Sequence, residues 1–362
     1  MKKTILEIDL KALEHNFNVI SSKLKPNTKF MAVVKANGYG SDSVEIAKKL
    51  VSLNIDYFAV AFASEGVALR KSGIKTPILV LLPQVESLEE IIKYKLEPSL
   101  YSFYFLENFI DYIKYKNIKE FRCHFKINTG LNRVGFSESE INNALEKIKN
   151  VEKIKLVSLY SHLAASEDSN EKAFTYEQIS LFKKMTSHIT SILSYRPILH
   201  MSNTSGILNF PECEFDMVRA GIGLYGYNNH LNNELVPVHT LKSIISQIIQ
   251  AKKGDSIGYN RSHICQENTK IGIIPLGHAD GISRSFGNGG YVLINNKKAK
   301  ILGNVCMDVF MVDLEKIYAN EGDEVIIFNN LYNAEEFAEN VGTISYEILT
   351  NLSSRISRKI ID

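Results

Sequence analysis

Lys35 is the first residue in this chain whose position suggests chemistry. It follows the apolar run Phe30-Met31-Ala32-Val33-Val34. An amine closing such a strand is partly desolvated, which disfavours its charged form, lowers its pKa and makes it a nucleophile suited to a Schiff base. The plain alternative is a lysine that snorkels to solvent. Gly38-Tyr39-Gly40 comes next. Its glycines allow close backbone approach and keep the Tyr39 hydroxyl near the strand end. Glycines ahead of a helix also suit an anion, although an ordinary turn would read the same way. Ser161-His162 follows a strand pattern, and His200 opens His200-Met201-Ser202-Asn203-Thr204-Ser205-Gly206 after another. There Asn203 and Thr204 place hydrogen-bonding groups just before a helix. Two histidines at successive strand ends suggest a site, without the HExxH spacing of a zinc centre. Asp216-Met217-Val218-Arg219-Ala220-Gly221-Ile222 ends a further strand pattern. Arg219 would face the mouth of a barrel, with backbone N–H groups of Gly221 and Ile222 open to an anion. Otherwise Arg219 pairs with a structural acid such as Asp216.

These residues need strands to present them. Short β-rich runs lie at 30–35, 57–61, 78–82, 97–100, 121–127, 155–160, 198–201 and 215–218, most separated by helical patterns. Eight βα repeats suggest a closed parallel barrel, with an open doubly wound sheet as the alternative. Leu10, Leu13, Phe17, Ile20 and Leu24 give one apolar helix face, with Asp9 as N-cap. A second helix fits 42–52, and Ser64 is the expected cap of a third that ends at Gly73. From about Leu235 the rhythm changes. Runs at 244–249, 271–275, 291–294, 299–305, 309–313 and 325–328 predict an all-β module, with Asn295-Asn296-Lys297-Lys298 as a hairpin turn and helices at 334–340 and 345–354. The fold class expected is therefore α/β: a (β/α)8 barrel over 1–230 and a mostly β domain over 231–362.

Composition removes other partners. The 362 residues carry 42 bases and 40 acids, a net charge of +2, so no broad field recruits nucleic acid or a membrane surface. No apolar run reaches the roughly 18–20 residues of a spanning helix. Acids at Glu7 and Asp9 stand where a signal peptide would need its apolar stretch. Four scattered cysteines (Cys123, Cys213, Cys265, Cys306) predict free thiols in a reducing cytoplasm and no metal site. Dinucleotide and Walker phosphate-loop motifs are absent.

The segment Ala32-Val33-Val34-Lys35-Ala36-Asn37-Gly38-Tyr39-Gly40 resembles the pyridoxal-phosphate signature of the alanine racemases. The likeness continues in family order through Ile8-Asp9-Leu10, Lys126-Ile127-Asn128-Thr129-Gly130, Arg133-Val134-Gly135, Asn203-Thr204-Ser205, Arg219-Ala220-Gly221-Ile222, Gly277-His278-Ala279-Asp280-Gly281, Cys306-Met307-Asp308 and Ser345-Tyr346-Glu347. It implies an isomerase that interconverts L- and D-alanine with pyridoxal 5'-phosphate, supplying D-alanine for peptidoglycan. Lys35 would be the Schiff-base lysine and the base on one face of Cα. Tyr259 would be the base on the other face, contributed by the second subunit of a homodimer. Tyr39, Asn203, Thr204, Gly221, Ile222 and Tyr346 would hold the cofactor, mostly at its phosphate. Arg219 would face the ring nitrogen, and His162 would link that arginine to the tyrosine. Arg133 and the backbone of Met307 would take the substrate carboxylate, with Lys126 as a possible carbamylated lysine steadying Arg133. An arginine at the ring nitrogen disfavours its protonation and so restrains side reactions. Lowering the pKa of the opposing tyrosine would fall to cations such as Arg219 and a protonated His162.

Asn128, Ser41, His278 and Asn304 depart from the family's usual Asp, His, Tyr and Arg. His278 keeps a racemase of broader specificity in view. A non-enzymatic pyridoxal-phosphate carrier would need only the barrel, and a decarboxylase relative would be expected to place an acid where Arg219 stands.

Overall fold

The computed structural model describes residues 4–228 and 234–362, apart from 117, 119 and 152. The expected boundary at 230/231 lies outside the described residues. Eight strands form a closed, all-parallel barrel: β2 (Lys29–Val33), β3 (Tyr57–Val60), β4 (Ile78–Val80), β5 (Glu97–Leu100), β6 (Phe121–Lys126), β7 (Ile154–Tyr160), β8 (Ile198–His200) and β9 (Met217–Ala220). Closure is made by β2 against β9, with Met31 opposite Arg219 and Ala32 opposite Ala220. Met31, Ala32, Phe58, Ala59, Leu79, Val80, Phe125 and Leu159 are fully buried, as expected of strands covered on both faces.

A nine-stranded sheet forms the second layer. Besides β1 (Ile5–Asp9) it contains β10 (His239–Ile244), β11 (Gln247–Ala251), β14 (Thr269–Ile274), β15 (Tyr291–Ile294), β16 (Lys297–Leu302), β17 (Phe310–Asp313), β18 (Glu324–Phe328) and β19 (Ser357–Ile361). A separate hairpin pairs β12 (Ser256–Ile257) with β13 (His263–Ile264). The N-terminal strand belongs to this layer. β1 runs antiparallel to β10 and parallel to β19, so Ile5 lies opposite both Lys242 and Ser357.

Local chemistry explains most element ends, including those that differ from the sequence reading. Asp9 caps the helix Leu10–Ser22 by accepting from the N–H groups of Lys11 (2.8 Å) and Ala12 (2.9 Å). Ser64 does not cap the helix Ala63–Lys71. Glu65 reaches back instead and accepts from the N–H groups of Ala61 (2.7 Å) and Phe62 (3.2 Å). The run 244–249 is two strands. Ile245 N–H bonds Asp323 and Ser246 N–H bonds Ile273, so the chain changes neighbours between β10 and β11. The last barrel strand begins at Met217 because Phe215 has φ +49°, a left-handed turn conformation. Asn295 and Asn296 both have positive φ and make the expected hairpin turn.

The strand before Lys35 stops at Val33, and the backbone then turns left-handed. Ala36, Asn37, Gly38 and Tyr39 have φ of +51°, +53°, +65° and +55°. Each non-glycine residue there costs about 1–2 kcal/mol. Opposing bonds hold the segment: Gly38 N–H to Val34 O (2.9 Å), Gly40 N–H to Ala36 O (2.8 Å), and Ala36 N–H to the Glu65 carboxylate (2.6 Å). Arg358 of β19 donates to Gly40 O from Nε (3.2 Å) and from a terminal nitrogen (3.0 Å). Gly40 itself has φ +81°, and a Cβ there would lie 1.9 Å from Leu349 O in the helix Ser345–Thr350. Gly40→Ala should therefore destabilise by about 2–4 kcal/mol. A urea midpoint equal to that of the unmodified protein would show that this close approach is not held in solution.

Candidate functional site

A cavity of about 480 Å³ opens where the barrel strands end. Its lining includes Lys35, Tyr39, Lys126, Arg133, His162, Asn203, Thr204, Arg219, Gly221, Ile222 and Tyr346. Those eleven are the expected site residues other than Tyr259 and Met307. Tyr160, Val33, Leu81, Leu82, Val134 and Ser205 complete much of the wall. Four of the lining side chains are cations and none is an acid, so the cavity is built for an anionic ligand.

Lys35 begins the left-handed turn, and its amine is held below the ordinary 10.5. Burial is the main cause, the Arg133 charge adds to it, and Glu65 opposes it. Tyr39 packs between Tyr225 (ring centroids 4.8 Å) and Tyr346 (5.9 Å). Burial pushes the Tyr39 hydroxyl up, and that of Tyr346 to about 12, so both stay protonated donors. A Cβ on residue 221 would sit 2.3 Å from the Tyr39 hydroxyl, and one on residue 223 would sit 2.4 Å from Thr204 Cγ2. Glycine at 221 thus keeps the cradle open beside Tyr39. Thr204 Oγ1 accepts from the N–H groups of Gly221 and Gly223, each at 3.3 Å. Asn203 caps the short helix Thr204–Asn209 through Gly206 N–H (2.8 Å) and accepts from Ser166 (2.8 Å).

Arg219 is buried, and burial pushes its guanidinium down to about 10. Asp216 is not its partner, because that acid bonds Arg196 (2.9 Å) and Leu199 N–H (2.8 Å). Arg219 donates instead to the carbonyls of Ser161 (2.7 Å) and Met201 (3.0 Å) and to His200 Nδ1 (2.7 Å). His162 Nδ1 lies farther off at 3.2 Å. Burial holds His162 well below its ordinary 6.5, and the Arg219, Lys126, Arg133 and Lys35 charges push the same way. His162 is therefore neutral, which corrects the expectation of a protonated histidine. The direct contact of His200 with Arg219 was not expected from its position one residue ahead of a polar loop. The two strand-end histidines were the available signal, but sequence does not say which one meets the arginine.

Lys126 is 5% exposed, with its amine 4.6 Å from the centre of the Tyr160 ring. Burial, then the Arg219 and Arg133 charges, hold that amine well below 10.5. Asn128 spends its carbonyl oxygen on the N–H groups of Gly130 and Asn132, both at 3.1 Å.

Tyr259 and Met307 are not in this cavity. They are 69% and 59% exposed and line a separate groove of the β layer with Ile249, Asp308 and Met311. Asn304 holds the Tyr259 backbone carbonyl at 3.0 Å. Arg355 ties the Met307 loop down by donating to Asp308 (2.8 Å) while pairing with Asp280 (3.2 Å). Among the described residues no group of three or more His, Cys, Asp or Glu side chains is arranged to hold a metal ion. No helix there is long and apolar enough to cross a membrane.

The state of Lys126 has a thermodynamic signature. An unfolded chain protonates this amine up to pH 10.5, while the folded chain gives up the proton earlier. Stability therefore rises with pH between the two values, and the cost of the buried amine is complete below the lower one. Lys126→Met should stabilise by about 1–3 kcal/mol at pH 7. That gain should shrink as pH approaches 10.5. Parallel stability curves for the two proteins would contradict a depressed Lys126.

Comparison with known proteins places this arrangement. Residues 8–229 match the model of the alanine racemase N-terminal domain, and residues 238–360 that of the alanine racemase C-terminal domain. An alanine racemase of Halothermothrix orenii is 36% identical, covering 99% of this chain and 97% of its own. One from Thermodesulfovibrio yellowstonii is 35% identical, with 98% and 97% covered. Among solved structures, an alanine racemase of Clostridium difficile 630 superimposes with a TM-score of 0.92 at 33% identity, covering 100% of this chain and 96% of that one. One from Bacillus anthracis with bound L-Ala-P gives 0.94 at 29% identity, with the same coverage. With both domain models matched in order and the full length aligned, the chain belongs to the alanine racemase family.

Proposed function

We propose that the chain interconverts L- and D-alanine with pyridoxal phosphate held in the barrel cavity. The observation that carries this reading is Lys35, a depressed amine in an acid-free cavity whose wall also presents Arg219. When bound, pyridoxal phosphate supplies a carbonyl for an imine and a conjugated ring that accepts electrons from Cα. The residues present fit it. A phosphate matches the hydroxyls of Tyr39, Thr204 and Tyr346 and the backbone at Gly221 and Ile222, with Asn203 fixing the loop. Arg219 would donate to the ring nitrogen and keep it unprotonated, with neutral His162 beside it.

Racemisation moves a proton from one face of Cα to the other and so needs two bases. Lys35 serves one face. Tyr259 serves the other from a second copy of the chain, in a homodimer with shared sites. Support for that assembly comes from the exposure of Tyr259 and Met307 and their absence from their own chain's cavity lining. Arg133 and the Met307 backbone would take the substrate carboxylate. Carbamylation of Lys126 requires a neutral amine, which its burial favours, and the added charge would face Arg133. The product would supply D-alanine to cell-wall peptidoglycan, and four free cysteines accord with a cytoplasmic setting. A second reading, a racemase of broader range, is favoured by His278, which borders a cleft of about 310 Å³ with Tyr259, Asn260 and Arg284.

The protein supplied with pyridoxal phosphate should convert L-alanine to D-alanine, and a panel of other L-amino acids separates the two readings. Lys35→Ala should lose borohydride-trapped cofactor and at least about 10²–10⁴-fold in rate. Tyr259→Phe should slow α-proton exchange with solvent much more for one enantiomer than for the other. Equal slowing of both would remove the two-base assignment, and no conversion of any amino acid would leave a carrier role.

A further inference from the structure

Five consecutive barrel strands contribute buried polar side chains to one hydrogen-bonded series that runs from the cavity into the barrel. Arg219 (β9) contacts His200 Nδ1 (β8) at 2.7 Å, and His200 Nε2 contacts Ser158 Oγ (β7) at 2.8 Å. Ser158 Oγ contacts His124 Nδ1 (β6) at 2.6 Å, and His124 Nε2 contacts Glu97 Oε2 (β5) at 2.9 Å. His200, Ser158 and His124 are fully buried, and Glu97 is 6% exposed.

A guanidinium can only donate, and a carboxylate can only accept. His200 therefore accepts at Nδ1 from Arg219 and donates from Nε2 to Ser158. With a neutral His124 ring, Ser158 donates its own proton to His124 Nδ1, and His124 donates from Nε2 to Glu97. In that arrangement both histidines are Nε2–H tautomers, and every bond points from Arg219 toward Glu97. Burial and the Arg219 charge hold His200 well below 6.5, in keeping with a neutral ring. Burial opposes the Glu97 charge, but hydrogen bonds from His124 and from Arg122 (2.5 Å) outweigh it and keep the carboxylate ionised. Among the described residues no carboxylate lies within ion-pair distance of Arg219, so an uncompensated buried cation would be costly.

We propose that Glu97, held in an ion pair by Arg122, anchors the Glu97–His124–Ser158–His200 relay, and that this relay is a positioning device that aims the Arg219 guanidinium into the cavity. Glu97 and Ser158 act through other residues and touch no ligand. The proposal rests on the pyridoxal-phosphate reading only for the identity of what Arg219 meets.

Nitrogen NMR of the full-length protein labelled in histidine reads the relay directly, whatever the activity. His124 and His200 should both carry the proton on Nε2. A proton on Nδ1 of either ring, or an imidazolium signal, overturns the relay. Pyridoxal-phosphate binding by tryptophan-free absorbance titration then tests its purpose. Ser158→Ala should weaken binding about 10-fold, the scale expected when a partner that orients a ligating group is lost. Ser158→Thr, which keeps the hydroxyl but adds a methyl to a packed interior, should bind better than the alanine variant. A purely packing role predicts the reverse order, because overfilling also costs. Glu97→Gln keeps an acceptor oxygen and removes the charge, and it should weaken binding in the same direction. Unchanged affinity in a folded Glu97→Gln protein overturns the anchoring role of the carboxylate. Should that variant not fold, the order of the two Ser158 variants decides. Failure of the unmodified protein to racemise any amino acid would sink the functional reading and leave the tautomer result standing.

Discussion

The segment Lys35–Tyr39 carries the site on a backbone that an L-peptide resists. A strand running straight on from Val33 would alternate its side chains between core and helix layer. A left-handed turn instead sets both Lys35 and Tyr39 on the cavity wall within five residues. Three of its left-handed residues, Ala36, Asn37 and Tyr39, are not glycine, so the turn persists only because its surroundings over-determine it. Glu65 grips its first N–H group, and Arg358 its last carbonyl. One clamp comes from the barrel and the other from the final strand of the β layer. Cavity and second domain are therefore a single construction: the reactive lysine is placed only when both layers are in contact.

The same division of labour governs charge. The cavity holds four basic side chains without an acid, and burial lowers three of them, Lys35, Lys126 and Arg219. Burial lowers Lys35 and Lys126 toward neutrality, which gives nucleophilic amines without a general base beside them. Arg219 keeps its charge far better because its intrinsic pKa is so high. Its bonds go to two backbone carbonyls and a neutral imidazole. Donors fixed in this way need no reorganisation when a ligand's acceptor arrives.

Much of this was legible in the chain itself. Barrel strands are covered on both faces, so they show as continuous apolar runs, and the lysine, glycines and arginine at their ends stand out against that background. Asn295-Asn296 declared its turn because both residues tolerate positive φ. Other features were hidden for physical reasons. The apolar run through Ile245 conceals a corner, since Ile245 is buried whichever neighbour the chain pairs with. Glu65 caps from inside its helix, so the serine nearer the expected start was misleading. His124, Ser158 and Glu97 look like isolated polar residues facing outward. Only strand register brings them to a common depth inside the barrel, with His124 opposite Ser158. The separation of Tyr259 and Met307 from the cavity concerns which way a surface faces, and local pattern carries no information about that.

Strand β1 has a consequence for the order of assembly. It is sandwiched between β10 and β19, so both of its neighbours are made long after it. During translation the barrel can close around its own short-range βα contacts while β1 waits with unpaired edges, and pairing of such distant segments is slow. Arg358 travels on β19, directly opposite Leu6. The clamp on the lysine turn therefore arrives only once β19 has been made. A chain made only as far as the barrel would lack it, so maturation of the site is coupled to synthesis of the β layer.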